Sequence, residues 1–364
     1  MKKYVWLVIF VILFSVGLNK LANNVVVEDN SNETVKIGLV VPLSGNQASS
    51  GEIFKKSAQM AFRDIAKKNN KYKYELIIED DGFEAKKTVS VANKLISVDN
   101  VDAIVSFSSH SGNVIAPIAQ NNKVIHISLA SDDNIAKSTY NFINWTTIED
   151  EVIKMVNKID DDGVKNLAVL VVNHPATNLM LDYTKKHIAD KNTKISYVAK
   201  ANSGTRDFKT IISKVKSANP DLISLIMFSP EQEIFVKQLR ELGVNAPLTS
   251  IELFAMSNQK ELFNGSWYVD AAVGDENFNN QFKEYANTDN NFGAVFVYDS
   301  LNMLNHIYES TNTKSPEVNR LALENLKIFD GAAGKLRNSK NGIFKSEASV
   351  KVIENGKISL LKAK

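Results

Sequence analysis

The sequence predicts an α/β fold made of two Rossmann-like lobes, each built on a mainly parallel sheet. Two observations predict it: short β-rich runs alternate with amphipathic stretches, and the alternation occurs in two successive series along the 364 residues. Strands that alternate with helices of about 10–15 residues favour right-handed βαβ units and therefore parallel sheets. Two series predict two lobes, and the chain is long enough to build both.

The first series follows an N-terminal segment of different composition. Its predicted strands are 36–41, 74–79, 103–107 and 124–128, and its predicted helices are 51–69 and 84–98. In the first helix Phe54, Ala58, Phe62 and Ile65 recur about one helical turn apart. That spacing predicts one buried face.

The second series begins near Glu149. Its predicted strands are 167–172, 194–198, 222–227 and 248–250, and its predicted helices are 176–189, 206–218 and 231–242. The last third differs, because helices are predicted over 274–286, 292–310 and 316–328 without strands between them. Segments 347–352 and 357–361, joined at Asn355-Gly356, then predict a hairpin that completes a sheet made earlier.

The N-terminus has the layout of a secretory signal. Met1-Lys2-Lys3 is basic and residues 4–18 are almost wholly apolar, which is shorter than the roughly 20 residues of a typical membrane span. We predict a signal peptide or N-terminal anchor over 1–22 and a polar tether over 23–34. A signal of this kind directs export, and we predict the periplasm as the compartment of the protein.

Composition excludes several function classes. The chain has no cysteine, which excludes disulfides, thiolate metal sites and a lipid-modified cysteine. The net charge of +2 and the absence of a Lys/Arg cluster give no support to a nucleic-acid partner. The five histidines show no metal-ligand spacing, and no nucleophile elbow or phosphate loop occurs. We therefore predict a protein that is not an enzyme, with no catalytic residues, metal or cofactor.

A binding site is predicted at the carboxyl ends of the first strands, where ligands of parallel sheets sit. The loops 42–51, 106–113 and 128–134 are rich in Ser, Gly and Asn. Residues 108–113 open a helix predicted over 114–120, whose free N–H groups could hold a carboxylate. The alternative is that Ser109 or Ser111 is only a helix cap. Three such loops on one sheet edge favour a pocket.

These segments resemble the type I periplasmic solute-binding proteins, and most closely the leucine/isoleucine/valine-binding branch that feeds ABC importers. The resemblance is carried in order by residues 35–45 with Gly51, 79–81, 91–96, 116–119, 127–131, 238–243 and 298–301. It implies two lobes joined by three crossovers near Ile148, Val273 and Phe329. Lobe 1 would then comprise 35–148 and 273–329, and lobe 2 would comprise 149–272 and 330–364.

The resemblance also implies a ligand site in the cleft between the lobes. Ser109 matches a residue that meets the ligand carboxylate, and Ala130 with Ser131 matches the pair that holds the amino-acid head group. Glu149 (or Asp150) and Glu252 match acids near the ammonium group. The full implied set is Ser50, Ser109, Ala130, Ser131, Asp132, Glu149, Phe228 and Glu252.

Three departures from the family pattern favour a more polar or more cationic ligand. Asp132 stands where the family has Thr, and Ser50 replaces a bulky aromatic residue. Ala176-Thr177 replaces a cleft Tyr. The pocket therefore has more acid and less aromatic wall than a branched-chain amino-acid site.

The predicted function is capture of an amino acid or similar small polar metabolite and its delivery to an ABC permease in the inner membrane, by a monomer. The alternative is a ligand-sensing module for a receptor kinase or chemoreceptor. An exported enzyme would need a nucleophile–base pair that the sequence lacks, and a structural envelope module would have a filled cleft.

Overall fold

A computed structural model describes residues 33–288, 290–339 and 342–361. Within these ranges the strands form two sheets, one of eight strands and one of seven. The predicted signal or anchor over 1–22, and the tether up to residue 32, lie outside the described residues. None of the helices in the described ranges combines the length and apolar character that a membrane crossing requires.

The first sheet is the centre of lobe 1, and its strand order is β11-β12-β13-β5-β4-β3-β1-β2. The strands β1 to β5 are mutually parallel. Their bounds are β1 Thr34–Val41, β2 Lys73–Asp80, β3 Ala103–Phe107, β4 Ile125–Leu129 and β5 Asn141–Asn144. Helices α1 (Ala48–Ile65), α2 (Ala85–Ser97) and α3 (Ser108–Asn122) connect them.

The second sheet is the centre of lobe 2, and its strand order is β15-β14-β10-β9-β8-β6-β7. Its parallel strands are β6 Asn166–Val172, β7 Lys194–Ala201, β8 Leu222–Ile226, β9 Leu248–Ile251 and β10 Trp267–Asp270. The helices of lobe 2 are α4 Ile148–Asp161, α5 Pro175–Ile188, α6 Lys209–Ala218 and α7 Glu231–Glu241.

The chain then returns to lobe 1 with three helices and three strands. These are α8 Glu276–Ala286, α9 Ala294–Thr311, α10 Pro316–Asn325, β11 Ile328–Gly331, β12 Gly334–Ser339 and β13 Ile343–Lys345. Of the strands after β10, only β14 (Ser349–Glu354) and β15 (Lys357–Leu360) belong to the second sheet. Both sheets carry apolar clusters on their two faces, which explains why central strands such as β6 and β8 are nearly continuous hydrophobic runs.

The predicted third crossover near Phe329, and with it the assignment of 330–345 to lobe 2, is wrong. The strands β11 to β13 extend the first sheet, with β13 parallel to β5. Leu336, Ile343 and Phe344 are buried in the core of lobe 1, and that burial fixes the position of this segment. The chain crosses to lobe 2 only after Lys345.

The predicted C-terminal hairpin is confirmed. β14 and β15 are antiparallel, and the turn residues Asn355 and Gly356 both have positive φ, at 51° and 70°. Two successive positive φ values are typical of the type I′ turn that Asn-Gly favours. The hairpin completes the second sheet by pairing β14 with β10.

The three connections between the lobes are tied together by one buried side chain. Thr146 Oγ1 accepts a hydrogen bond from Ala272 N at 3.1 Å and lies 2.9 Å from Ser346 Oγ. These residues come from the segments that follow β5, β10 and β13. Because all three are at most 5% exposed, the connections form a dry, hydrogen-bonded hinge region.

Candidate functional site

The loop after β1 is shaped by a carboxylate at the end of β2. Asp80 accepts hydrogen bonds from Leu43 N at 2.7 Å, from Ser44 Oγ at 2.7 Å and from Lys87 Nζ at 2.5 Å. Burial raises the pKa of Asp80, but the hydrogen bonds from Lys87 and Ser44 outweigh it and hold that pKa well below its usual range. The carboxylate of Asp80 therefore has a structural role, because it holds the loop after β1 against the end of β2.

The turn from β3 into α3 differs from the prediction, because the helix already begins at Ser108 and not at residue 114. Ser108 has φ of 76°, and its hydroxyl accepts a hydrogen bond from Ser111 N at 3.3 Å. Ser111 is not a cap, since its own hydroxyl donates to Asp81 Oδ2 at 2.5 Å. Ser109 lies half-buried in the first turn of the helix.

Asp132 is connected to Ser109 through an amide side chain. Asn113 Nδ2 donates to the backbone oxygen of Ser109 at 2.9 Å and to Asp132 Oδ2 at 2.8 Å, while Asn134 N donates to Asp132 Oδ1 at 3.0 Å. Burial raises the pKa of Asp132, yet the hydrogen bonds from Asn113 and Asn134 lower it overall. Asp132, the acid that replaces the family's Thr, is thus an ionised carboxylate that other side chains of lobe 1 orient and stabilise.

Glu149 in the first turn of α4 has a lysine and a histidine of α5 as neighbours. Its Oε1 accepts a hydrogen bond from Lys186 Nζ at 2.7 Å and lies 2.8 Å from His187 Nε2. The Lys186 hydrogen bond is the main cause that lowers the pKa of Glu149, with burial acting in the opposite direction. Lys186 of α5 therefore partly neutralises the negative charge of Glu149, which leaves less of it to attract a ligand.

A cavity of about 420 Å³ lies between the lobes. Its wall on lobe 1 includes Ser131, Asp132 and Asp133, and its wall on lobe 2 includes Glu149 and Tyr183. The volume falls within the range of small-molecule pockets. The cavity brings together three residues that the sequence nominated, namely Ser131, Asp132 and Glu149.

The other nominated residues lie outside the lining of that cavity. Ser50 is half-buried in the first turn of α1, and Ala130 is buried directly after β4. Phe228 follows β8 and makes an edge contact with the His174 ring, at a centroid distance of 5.1 Å. These positions flank the ends of the parallel strands, and the assignment of a ligand contact to each stays a prediction.

Glu252 belongs to a group of three acids that the sequence did not reveal. It follows β9 with φ of 57°, and one carboxylate oxygen from each of Glu151, Glu252 and Asp270 lies within 4.8 Å of the other two. Burial and the charge of Asp270 raise the pKa of Glu252 to about 7. Glu151 and Asp270 gave no signal, because one looks like a surface acid of α4 and the other ends a strand too short to be predicted.

A second buried network resembles a catalytic arrangement without the access that catalysis needs. His126 Nε2 lies 2.8 Å from Ser106 Oγ, and His126 Nδ1 lies 2.7 Å from Asn141 Oδ1. This is the order of a nucleophile, a base and an orienting group. However, all three side chains are at most 2% exposed, so no substrate reaches the hydroxyl. Burial lowers the pKa of His126 to about 4.

The sequence profile of the family described as periplasmic binding proteins matches residues 34–356. The chain therefore belongs to the periplasmic binding protein family, in its type I branch similar to the leucine/isoleucine/valine-binding proteins. The predicted family and fold class are confirmed. The family description and the solved structures that resemble this chain are those of solute-binding proteins.

Among curated relatives, the chain is 28% identical over 223 residues to the leucine-, isoleucine-, valine-, threonine-, and alanine-binding protein of Pseudomonas aeruginosa, with 59% of each chain covered. It spans about three fifths of the length of such relatives. Among solved structures, a branched-chain amino acid transporter substrate binding protein of Streptococcus pneumoniae, in complex with isoleucine, has a TM-score of 0.72 at 20% identity and covers 91% of this chain and 100% of its own. A solute binding protein of Rhodopseudomonas palustris, in complex with 3,4-dihydroxy benzoic acid, has a TM-score of 0.71 at 19% identity, with 91% and 96% covered.

Proposed function

We propose that this protein is an extracytoplasmic solute-binding protein that captures an amino acid or a similar small polar metabolite between its lobes and delivers it to an ABC importer. The observation that carries the proposal is the cavity of about 420 Å³ whose walls come from both lobes. A molecule in such a cavity touches both lobes at once and favours the closed arrangement over an open one.

The polar groups around the cleft suit a ligand with a carboxylate. Ser131 lines the cavity, and Ser109 is linked to its wall through Asn113 and Asp132. Hydroxyl and N–H groups bind carboxylate oxygens, and closure strengthens these contacts by removing water. A carboxylate is also the group that the isoleucine and the dihydroxy benzoic acid of the two solved structures have in common.

The acids of lobe 2 favour a cationic group at the other end of the ligand. Glu149 lines the cavity, and Glu252 lies at the end of β9 near the hinge region. We therefore infer a zwitterionic or more cationic solute as the ligand class. The permease of the inner membrane is the proposed partner, the periplasm the proposed compartment and a monomer the proposed state.

A thermal-shift screen tests the proposal. The purified protein is screened against the twenty amino acids, polyamines, small amides and small organic acids, including 3,4-dihydroxy benzoic acid. A bound solute stabilises the folded protein by mass action, by about 2.7 kcal/mol at a solute concentration of 100 times the Kd. This stabilisation raises the unfolding temperature. We expect one class of solute to give such a shift, and no shift from any class would contradict the proposal.

Two variants then locate the site. Ser109→Ala combined with Glu252→Ala is expected to abolish the shift, because each removes a polar group assigned to one end of the solute. The matched control combines Ser90→Ala and Glu284→Ala, which remove the same groups from exposed positions on α2 and α8. An unchanged affinity in the first variant would remove both residues from the site.

A further inference from the structure

The acids Glu151, Glu252 and Asp270, here called the acidic trio, come from three elements. Glu151 lies on α4, Glu252 directly after β9 and Asp270 at the end of β10. One carboxylate oxygen from each lies within 4.8 Å of the other two. The trio sits beside the hinge region, since Asp270 precedes the Ala271-Ala272 connection whose amide binds Thr146.

Glu151 distinguishes the trio from a surface patch of acids. Its side chain is fully buried, and in the described part of the chain no N–H or hydroxyl donor reaches either carboxylate oxygen. The Glu252 carboxyl group lies close enough to share a proton with it. The groups that face it are two further carboxyls, with one ammonium beyond them. A buried carboxylate without a donor costs free energy unless a cation or a proton compensates it.

Among the described residues, the one ammonium group that contacts the trio does not compensate Glu151, so this role falls to a proton or to a bound cation. Lys351 Nζ on β14 lies 2.6 Å from Asp270 Oδ2, and Ala271 N donates to Asp270 Oδ1 at 2.8 Å. Both donors serve Asp270 and neither serves Glu151 or Glu252. With three carboxyls and one ammonium, the fully ionised site carries a formal charge of −2. Burial and the charges of Glu252 and Asp270 raise the pKa of Glu151 well above its usual value.

We propose that the acidic trio is a binding site for a hard divalent cation, of which Ca²⁺, Mg²⁺ and Mn²⁺ are the candidates. Three carboxylates from three elements supply only oxygen ligands, which such ions prefer. Two oxygens bound to the same ion at about 2.4 Å lie at most about 4.8 Å apart, and all three pairs of oxygens in the trio meet that limit. The left-handed backbone of Glu252, at φ of 57°, places its carboxyl group there at a cost in strain.

A bound cation would connect α4 to the ends of β9 and β10 next to the hinge. Glu252 also belongs to the proposed solute site, whereas Glu151 does not. The test therefore rests on Glu151 and is made without any solute, so that failure of one proposal is distinguishable from failure of the other.

Mn²⁺ is the probe, because the electron paramagnetic resonance signal of free Mn²⁺ disappears when the ion binds. The full chain is freed of metal with a chelator and titrated with Mn²⁺. We expect one Mn²⁺ per chain, displaced by excess Ca²⁺ or Mg²⁺. Glu151→Gln is expected to weaken the affinity at least tenfold. Asp161→Asn, which removes an exposed acid from the same helix, should leave the affinity unchanged.

Two results would overturn the proposal: no Mn²⁺ bound at millimolar concentration, or binding that Glu151→Gln and Asp161→Asn affect equally. Circular dichroism melting verifies that Glu151→Gln folds, and Asp270→Asn takes its place if it does not. A solute-induced thermal shift that survives in Glu151→Gln, together with lost Mn²⁺ binding, would show that solute binding does not require the cation.

Discussion

His126 shows how one buried side chain makes the stability of this protein depend on pH. The ring is fully buried between Ser106 and Asn141, and burial lowers its pKa from 6.5 to about 4. In the unfolded chain the same ring takes up a proton near pH 6.5. The unfolded state therefore binds the proton more readily, and the contribution of His126 to stability is complete above pH 6.5.

We predict that this contribution is lost as the pH falls from 6.5 towards 4, by up to about 3 kcal/mol. Urea unfolding at a series of pH values measures it. His126→Gln is expected to be less stable at pH 7.5 but to show a flatter dependence between pH 6.5 and 4. His110→Gln, which removes an exposed histidine, should keep the steeper wild-type dependence. Equal slopes in all three proteins would refute the assignment.

Single residues of the candidate site were partly predictable from the sequence. Ser131, Asp132 and Glu149 were nominated through a family resemblance and line one cavity. Glu151 was not predictable, because it stands in the run Glu149-Asp150-Glu151 and resembles its half-buried neighbours in the sequence. Only packing of α4 against the second sheet buries it. Burial of a charged side chain is a tertiary property that no local pattern indicates.

Among the elements, long periodic helices and apolar strands were predicted well, and so was the four-residue β9, but several other short strands were missed. The predicted strand 103–107 coincides with β3, whereas β5 and β10 have four residues each and were missed. The strands β11 to β13 were missed because they are short and polar on one side, as in the run Lys335-Leu336-Arg337-Asn338. Their place in the first sheet depends on pairing with β5, a strand nearly 200 residues earlier.

The hinge region gives a prediction at the scale of elements. Thr146→Val keeps the shape of the side chain but leaves Ala272 N and the Ser346 hydroxyl buried without their partner. We expect the free energy of unfolding to fall by about 1–3 kcal/mol, measured by urea denaturation. Thr210→Val, at an exposed position on α6, serves as the control and should change stability by less than about 0.5 kcal/mol. If Thr146→Val lost as little stability as this control, the hydroxyl of Thr146 would not be what holds the connections together.

At the scale of the whole molecule, the proposed function depends on the movement of two lobes around three connections. Each lobe has its own core on both faces of its own sheet. The lobes meet at the cavity, at the hinge region and at ion pairs such as Lys345 with Asp150, at 3.0 Å. Opening these contacts would leave the core of each lobe in place, so the lobes can separate without unfolding.

A measurement of the distance between the lobes tests most directly whether they close around a solute. The chain has no cysteine, so Lys86→Cys on α2 and Lys214→Cys on α6 place one spin label on each lobe without further changes. Pulsed electron paramagnetic resonance then gives the distance with and without the solute that produces the largest thermal shift. The pair Lys86→Cys and Glu276→Cys, both in lobe 1, is the control. We predict that the solute shortens or narrows the distance distribution between the lobes and leaves the control unchanged. An inter-lobe distance that stays the same at a saturating solute concentration would contradict the account.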